Sequence, residues 1–570
     1  MLSRKMKSLF FALFLLLTIS TSISAVEETL ADEVAAIISE ELPRMLAQAS
    51  VPGAAIAVVD GKRVVSIQVF GHTDGAGSSL VDTNTIFSIQ SMSKSFAALA
   101  VLMAVQDGLI DLDAPIKEYL PGFTVKSLYE MNPENSITLR HLVSHWAGLV
   151  QESPYSNNND DRYDFDKHIQ SIADTWLRYP VGYCYKYSNL GIDLAGYIIQ
   201  VHSGNSFGLY VKDKVLHPIG MTNSLYEMDS IEHVDNRGLG HSANPNRTPP
   251  LRIPMIPAGG LYTDITDMIK YLQFHINEGV ANGHRILRQD LLEQMHSIQF
   301  SCSGQRFGYC LGLIREPVSN SYGLYHAGAG YGFSSIMMMF PEYKLGVVLL
   351  TNSEDESTIW GLHQLVTESI CAEYGETPVA ESGVERMIKL DSRDLRVEAV
   401  MGRYGDEYAY VIETVGDTLG LRITSQNRFY PLTFYDDGGQ LVGMFGAFSE
   451  IRFLPRYGNR PGSMMLIDRR MSNAYFNIKD FNYSPKAPPG PNKPEWLQYV
   501  GEYDQVVNGE TIGSFNVTVR NGYLYTAECK CTEYKPGVFF TYDGDLIDFT
   551  SDPPTAGYIQ IRRKDVESGL

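Results

Sequence analysis

Ser91 and Lys94 stand three positions apart at the polar mouth of FSIQSMSKSFAALAVLMAVQ (87–106), a segment that otherwise reads as an apolar helix. On a helix, residues i and i+3 are neighbours on one face, within reach of a hydrogen bond. A serine hydroxyl is a poor nucleophile until a base takes its proton. A lysine can be that base where partial burial or a second positive group lowers its pKa. The start of the helix adds free backbone N–H groups, one of which can hold a developing oxyanion. The chemistry this pattern points to is acyl transfer through Ser91; Ser93 has no lysine at i+3. On its own, S-x-x-K arises by chance about once or twice in a chain this long, mostly at solvated helix starts.

Two further stretches carry chemistry. GYCYKYSNLGIDLAGYIIQ (182–200) supplies Tyr187 and Asn189, a Y-x-N on a turn before an amphipathic helix that Ser188 or Asn189 can cap. YHAGAGYGF (325–333) supplies His326-Ala327-Gly328, with glycines that allow close approach to a strand backbone. In this order and at these spacings, S-x-x-K, Y-x-N and H-x-G resemble the three motifs of the serine β-lactamase-like hydrolases: class C β-lactamases, D-aminopeptidases and penicillin-binding-protein relatives. ITLRHLVSHWAGL (137–149), HPIGMTNS (217–224) and PAGGLYTDITDMIKYLQF (257–274) are similar to that family as well, so the resemblance covers about residues 30 to 375.

The resemblance implies roles. Ser91 would be the acylated nucleophile and Lys94 would take or relay its proton. Tyr187 would act as phenolate or proton shuttle, its pKa depressed by the lysine. Asn189 would orient the substrate amide, with His326 and Gly328 completing the substrate-binding edge. The N–H groups of Ser91 and Ala329 would form the oxyanion hole. His326 occupies the place where β-lactamases carry the lysine of K-T-G. Histidine is mostly neutral at pH 7, so it offers no permanent charge to a β-lactam carboxylate. H-x-G is instead similar to D-aminopeptidases and carboxylesterase-type relatives.

The elements that must position these residues follow from the pattern. GAAIAVVDGKRVVSIQVFG reads as a hairpin around Asp60-Gly61. Helical patterns dominate from about 96 to 315, strand signals return at 322–354, and a helix follows near 358–374. This predicts an α/β domain over 30–378, one antiparallel sheet built from both ends of the domain around a helical lobe. Beyond about 385, short strands rich in Tyr, Phe and Thr take over, with a faint repeat. GRYGDEY (402–408) matches GEYDQVV (501–507), and SEIRFLP (449–455) matches AGYIQIRR (556–563). The Pro-rich linker SPKAPPGPNKPEW (484–496) separates the copies. The reading is two small antiparallel β-barrels, at 390–485 and 494–566; the resemblance implies that they are lipocalin-like.

With 46 basic against 66 acidic residues the net charge is −20, which repels phosphate backbones and disfavours nucleic-acid binding. Residues 1–25 have signal-peptide grammar: Arg4, Lys5 and Lys7, an apolar run too short to span a bilayer, then Ser22, Ser24 and Ala25. A secreted or periplasmic protein is expected, with no integral span beyond that segment. Cys302 and Cys310 flank a hairpin signal and could pair; Cys529 and Cys531 share a strand face. His141 and His145 stand i, i+4, a zinc-binding spacing, but no glutamate follows the first histidine and no metal is assigned. The Asn/Asp-rich loop 151–166 could rim the cleft and attract a cationic amine. The function expected is hydrolysis of an amide or ester without a cofactor, on a small peptide, D-configured by preference. A carboxylesterase, a weak β-lactamase and a non-hydrolytic penicillin-binding-like sensor are the alternatives, and homo-oligomerisation is left open.

Replacing Lys94 tests the base directly. Lys94→Arg should be nearly as damaging to acylation as Lys94→Ala, because arginine keeps the charge but does not surrender its proton at usable pH. Substantial turnover in the arginine variant would make the lysine purely electrostatic.

Overall fold

In the computed structural model the hairpin forms where Asp60-Gly61 places it. Strands β1 (Gly53–Asp60) and β2 (Val64–Gly71) pair antiparallel, and Asp60 Oδ1 accepts the N–H groups of Lys62 and Arg63 at 2.6 and 2.8 Å. The structure describes residues 29–564 apart from 75–78, 128–129, 154, 156–163, 183–184, 242–252, 301–305, 378–386, 405–409, 424–427, 438, 446–448, 455–462, 469–472, 480–490, 508–509, 521, 527–528, 542–545 and 557–558. The expected signal segment lies outside the described residues. Among them, no helix is long and apolar enough to cross a membrane.

The rest of the sheet comes from the other end of the domain: β3 (Gly308–Tyr309), β4 (Ile314–Val318), β5 (Ser321–Gly330), β6 (Phe333–Phe340) and β7 (Leu345–Thr351). Their order is β2-β1-β7-β6-β5-β4-β3, antiparallel throughout. The strands at its centre are apolar on both faces because both are covered. Successive side chains of a strand point to opposite faces. Accordingly Ala54, Ile56 and Val58 join one core, and Ala55, Ala57 and Val59 the other.

The first of these cores lies under two terminal helices. Helix α1 (Leu30–Gln48) opens on a capping box, Thr29 with Asp32, and buries Leu30, Val34, Ile38, Leu42 and Leu46, a stripe at i+4 spacing. Packed against it, α8 (Ser357–Tyr374) contributes Ile359, Leu362, Val366 and Ile370.

The second core is shared with the helical lobe. Its axis is α2 (Ser93–Gln106), buried without a break from Ser93 to Ala104, so it has no solvent face to keep polar. Around it stand α3 (Leu139–Val143), α4 (Phe165–Ser171), α5 (Asn189–Ser203), the short α6 (Ile256–Gly259) and α7 (Ile265–Ile276).

Three expectations need correction. Among the described residues, the segment expected as the first barrel carries two sheets, of four and six strands, enclosing one core of Val397, Ile412, Leu421, Phe434, Leu441, Ile451 and Phe453. Pro431 ends one sheet, and the chain crosses to the other at Leu432, whose N–H still donates to Leu419 O. A strand that changes sheets opens the ladder instead of closing it. The second segment does close: eight strands between Gly501 and Arg563 form a barrel filled by Trp496, Val517, Leu524, Phe539 and Ile561. The disulfide is also corrected, since Cys310 is a free, buried thiol that burial pushes above the usual thiol range. Cys531 is buried as well. Lastly, His141 and His145 do not share a helix. The helix ends at Val143 and His145 takes a left-handed φ of 66°; His141 stacks on Phe300, whereas His145 packs against Tyr187.

Leu349 of β7 faces Ile56 and Ile336 across the two neighbouring strands, with no exposure. Leu349→Ala should cost about 2–5 kcal/mol, read from denaturant midpoints. A loss under half a kcal/mol would mean that the sheet is not packed on both faces.

Candidate functional site

The residue before the serine sets the geometry. Phe87-Ser88 pairs with Tyr262-Thr263, and Ile89 N–H donates to Leu261 O at 3.1 Å. Gln90 then adopts φ 49°, unusual for a residue with a Cβ. Its amide donates to Ser88 Oγ at 2.8 Å, which holds the kink. A 3-10 turn over Gln90–Met92 follows and delivers Ser91, half-buried, to the mouth of α2. Ser93 has a different job. Its Oγ accepts the Leu261 N–H at 3.1 Å and ties α2 to the strand residue beside the kink.

Lys94 has no exposed surface. Its Nζ donates to Ser91 Oγ at 2.9 Å and to Ala258 O at 2.8 Å, and lies 4.9 Å from the centre of the Tyr187 ring. The S-x-x-K spacing therefore makes the bond expected of it, across the junction between a 3-10 turn and an α-helix.

Tyr187 and Asn189 arrive through the cap of α5. Ser188 is the N-cap: its Oγ accepts the Gly191 N–H at 3.1 Å and donates to Val150 O at 2.6 Å. The Asn189 side chain does not bond Ser91 or Lys94. Its Nδ2 donates to Glu152 Oε1 at 2.6 Å, and the Asn189 Oδ1 is buried without a partner. Glu152 is itself 2% exposed, and burial pushes its pKa up to about 8. A carboxyl held in that range is a neutral acid at pH 7, beside an amide it can lock in place.

On the opposite wall, β5 passes unusually close to the serine. A Cβ on Gly328 would lie 2.1 Å from Ile89 O and 2.9 Å from Ser91 N, so only glycine fits. Ser335 Oγ donates to the same Ile89 carbonyl at 3.0 Å. Ala329 is the next residue on that strand. His326 is 3% exposed, with both ring nitrogens taken by the protein. Nδ1 donates to Ala327 O at 2.7 Å, which leaves Nε2 to accept the Tyr309 hydroxyl at 2.9 Å. Burial and the Lys94 charge lower its pKa to about 3, so the ring is neutral. His145 is likewise driven well down by burial and by Lys94. Its ring centre lies 4.5 Å from those of both Tyr187, to which it is tilted, and Tyr309, which it meets edge-on.

A residue with a bonded base, a polar wall and a strand backbone pressed against it can carry out acyl transfer. The family model Beta-lactamase matches residues 30–361, the same stretch that builds this geometry. The chain belongs to the beta-lactamase family. Protein flp of Staphylococcus aureus strain MRSA252 is 24% identical over 332 residues, covering 55% of this chain and 61% of that protein. Beta-lactamase-like protein 2 of Dictyostelium discoideum is 29% identical over 270 residues, covering 46% of this chain and 48% of that one. The chain thus matches less than two thirds of either relative's length. Among solved structures, the octameric penicillin-binding protein homologue from Pyrococcus abyssi aligns with TM-score 0.51 and 22% identity over 76% of this chain and 96% of that one. SurE aligns with TM-score 0.53 and 21% identity over 77% and 98%. These likenesses concern the fold.

Within this beta-lactamase-family site, several contributors carry no motif. Glu152 lies in the Asn/Asp-rich stretch expected to rim the cleft, of which 154 and 156–163 fall outside the described residues. Tyr309 precedes Cys310, on a strand of two residues. His145 was legible only as a partner for His141.

Two outcomes follow. Gly328→Ala should slow acylation of Ser91 by about 100-fold or more, because the added methyl must push the strand off the Ser91 N–H; a parental rate would show the close approach to be dispensable. The buried histidines also make stability depend on pH. His141, His296 and His326 are held at about 4, 3 and 3, against about 6.5 in an unfolded chain. Between those values the unfolded state binds more protons, so stability is full above about pH 6.5 and falls as pH drops toward 4. Glu152 works the other way from its ordinary range up to about 8, as one group against several. Denaturant midpoints at pH 7.5 and 5 should show the loss; equal midpoints would contradict it.

Proposed function

We propose that this chain is a serine hydrolase that cleaves amide or ester bonds through a Ser91 acyl-enzyme, with small peptides or D-amino acid amides as first-choice substrates, in the manner of a D-aminopeptidase. The observation that carries the reading is the buried Lys94 Nζ bonded to Ser91 Oγ and Ala258 O.

In the acylation step Ser91 Oγ attacks the substrate carbonyl carbon while its proton passes to Lys94 in its neutral form, directly or through Tyr187. The carbonyl oxygen, now negative, is held by the N–H groups of Ser91 and Ala329. The C–N or C–O bond breaks, the leaving amine or alcohol takes the proton back, and water then attacks the ester by the same route in reverse. Asn189 orients the substrate amide, its own amide fixed by Glu152. Gly328 keeps the substrate strand close to the serine.

His326 narrows the substrate. A neutral ring with both nitrogens engaged holds no charge for the free carboxylate of a β-lactam. We read the C-terminal barrel as lipocalin-like and the protein as acting outside the cytoplasm.

Turnover of D-alanine p-nitroanilide, a p-nitrophenyl ester and a penicillin, by the parent and by Ser91→Ala, tests the proposal. The amide and ester should be hydrolysed, the penicillin slowly, and Ser91→Ala should be inert. Fast penicillin hydrolysis would restore a β-lactamase reading. Labelling of Ser91 without turnover would make the protein an acylating sensor.

A further inference from the structure

His168 on α4 and Asp193 on α5 form a pair with no exposed surface, 2.8 Å between Nε2 and Oδ2, that the acylation chemistry leaves unused. Burying such a pair is costly unless its remaining bonds are met. The second Asp193 oxygen, Oδ1, accepts the backbone N–H of Ala258 at 2.9 Å. The Ala258 carbonyl is in turn the second acceptor of Lys94 Nζ, at 2.8 Å. Five groups therefore run in series, from His168 to Asp193, Ala258, Lys94 and Ser91.

Local structure does little to hold the middle of this series. Helix α6 is four residues long, has no side-chain cap, and ends on Gly259 with Gly260 after it. A residue next to two glycines is free to reorient unless something fixes it, and here the fixing bond comes from Asp193. His168 braces the other carboxylate oxygen, and its Nδ1 faces Ser153 Oγ at 3.5 Å.

We propose that Asp193, braced by His168, is a positioning residue for acylation: it holds Ala258 so that the Ala258 carbonyl aims Lys94 Nζ at Ser91 Oγ, and its carboxylate offsets the Lys94 charge. This rests on Ser91 being the nucleophile. The groups that face Lys94 are Ser91 and Ala258 by hydrogen bond, Tyr187 by its ring, and His145, Glu152 and His326 through its charge. Asp193 faces His168, and its charge raises the pKa of Glu152. His145 and His326 are neutral and Glu152 is pushed toward its neutral acid, so none of the three supplies a full negative charge against the ammonium at pH 7.

Two substitutions separate positioning from stapling α4 to α5. Asp193→Ala removes the acceptor and the charge; Asp193→Asn keeps an oxygen for the Ala258 N–H, removes the charge and turns an amide NH2 toward His168 Nε2, which accepts it in its other neutral tautomer. The readouts are the rate of Ser91 labelling by a fluorophosphonate from pH 5 to 10, and crystal structures of the parent and both variants. In Asp193→Ala, labelling should slow about 100-fold, with Lys94 Nζ withdrawn from Ser91 Oγ. In Asp193→Asn, Lys94 should stay in place and the rate should stay within about tenfold of the parent. Its acid limb should move about one unit toward lower pH, because losing a buried negative charge favours the neutral amine. Parental labelling by Asp193→Ala, or an Asp193→Asn profile that superposes on the parent's, overturns the proposal. If Asp193→Ala does not fold, the Asp193→Asn profile decides alone. If the parent is not labelled, the nucleophile reading fails, and the position of Lys94 in the variant crystals still decides whether Asp193 positions it.

Discussion

An ammonium group without exposed surface is the constraint on which the rest of this domain turns. Lys94 sits in the first turn of the most deeply buried helix of the lobe, where an unpaired charge would cost several kcal/mol. Its partners are uncharged oxygens: the Ser91 hydroxyl and a backbone carbonyl from α6. The histidines closest to it in effect, His145 and His326, are both driven neutral.

Placing that lysine requires elements from distant parts of the chain to meet. The Gln90 kink needs Leu261 and Ser88; the close passage of β5 needs the absent side chain of Gly328 and the Ser335 hydroxyl on β6. The last of these joins the sheet to the helical lobe, since Ser335 Oγ on β6 reaches the Ile89 carbonyl just before α2. The site lies on that boundary, so the sheet must be assembled from both ends of the domain before the serine has its surroundings.

What the sequence made legible was local. Ser91 and Lys94 are three residues apart and Tyr187 and Asn189 two, and each pair is set by one turn or cap, so the spacing carries the geometry. Glu152 had no such signal, since it lies in a polar loop and meets Asn189 across 37 residues. His168 and Asp193 belong to different helices and join only through packing. His145 was misread because a left-handed residue ended its helix early, a choice of backbone that side-chain periodicity does not report. In the C-terminal region the short alternating strands were legible, but a change of sheet at Leu432 leaves the alternation intact, so pattern alone suggested a barrel in both copies.

The central claim is that Ser91, activated by Lys94, takes an acyl group whose oxygen points into the space between the helix start and β5. A crystal structure of the protein soaked with a slowly released acylating ester tests it most directly. The account predicts continuous density from Ser91 Oγ to the acyl carbon, the acyl oxygen about 2.7–3.1 Å from the N–H groups of both Ser91 and Ala329, and Lys94 Nζ still beside Oγ. An adduct on any other residue, or an acyl oxygen turned away from both N–H groups, would contradict it.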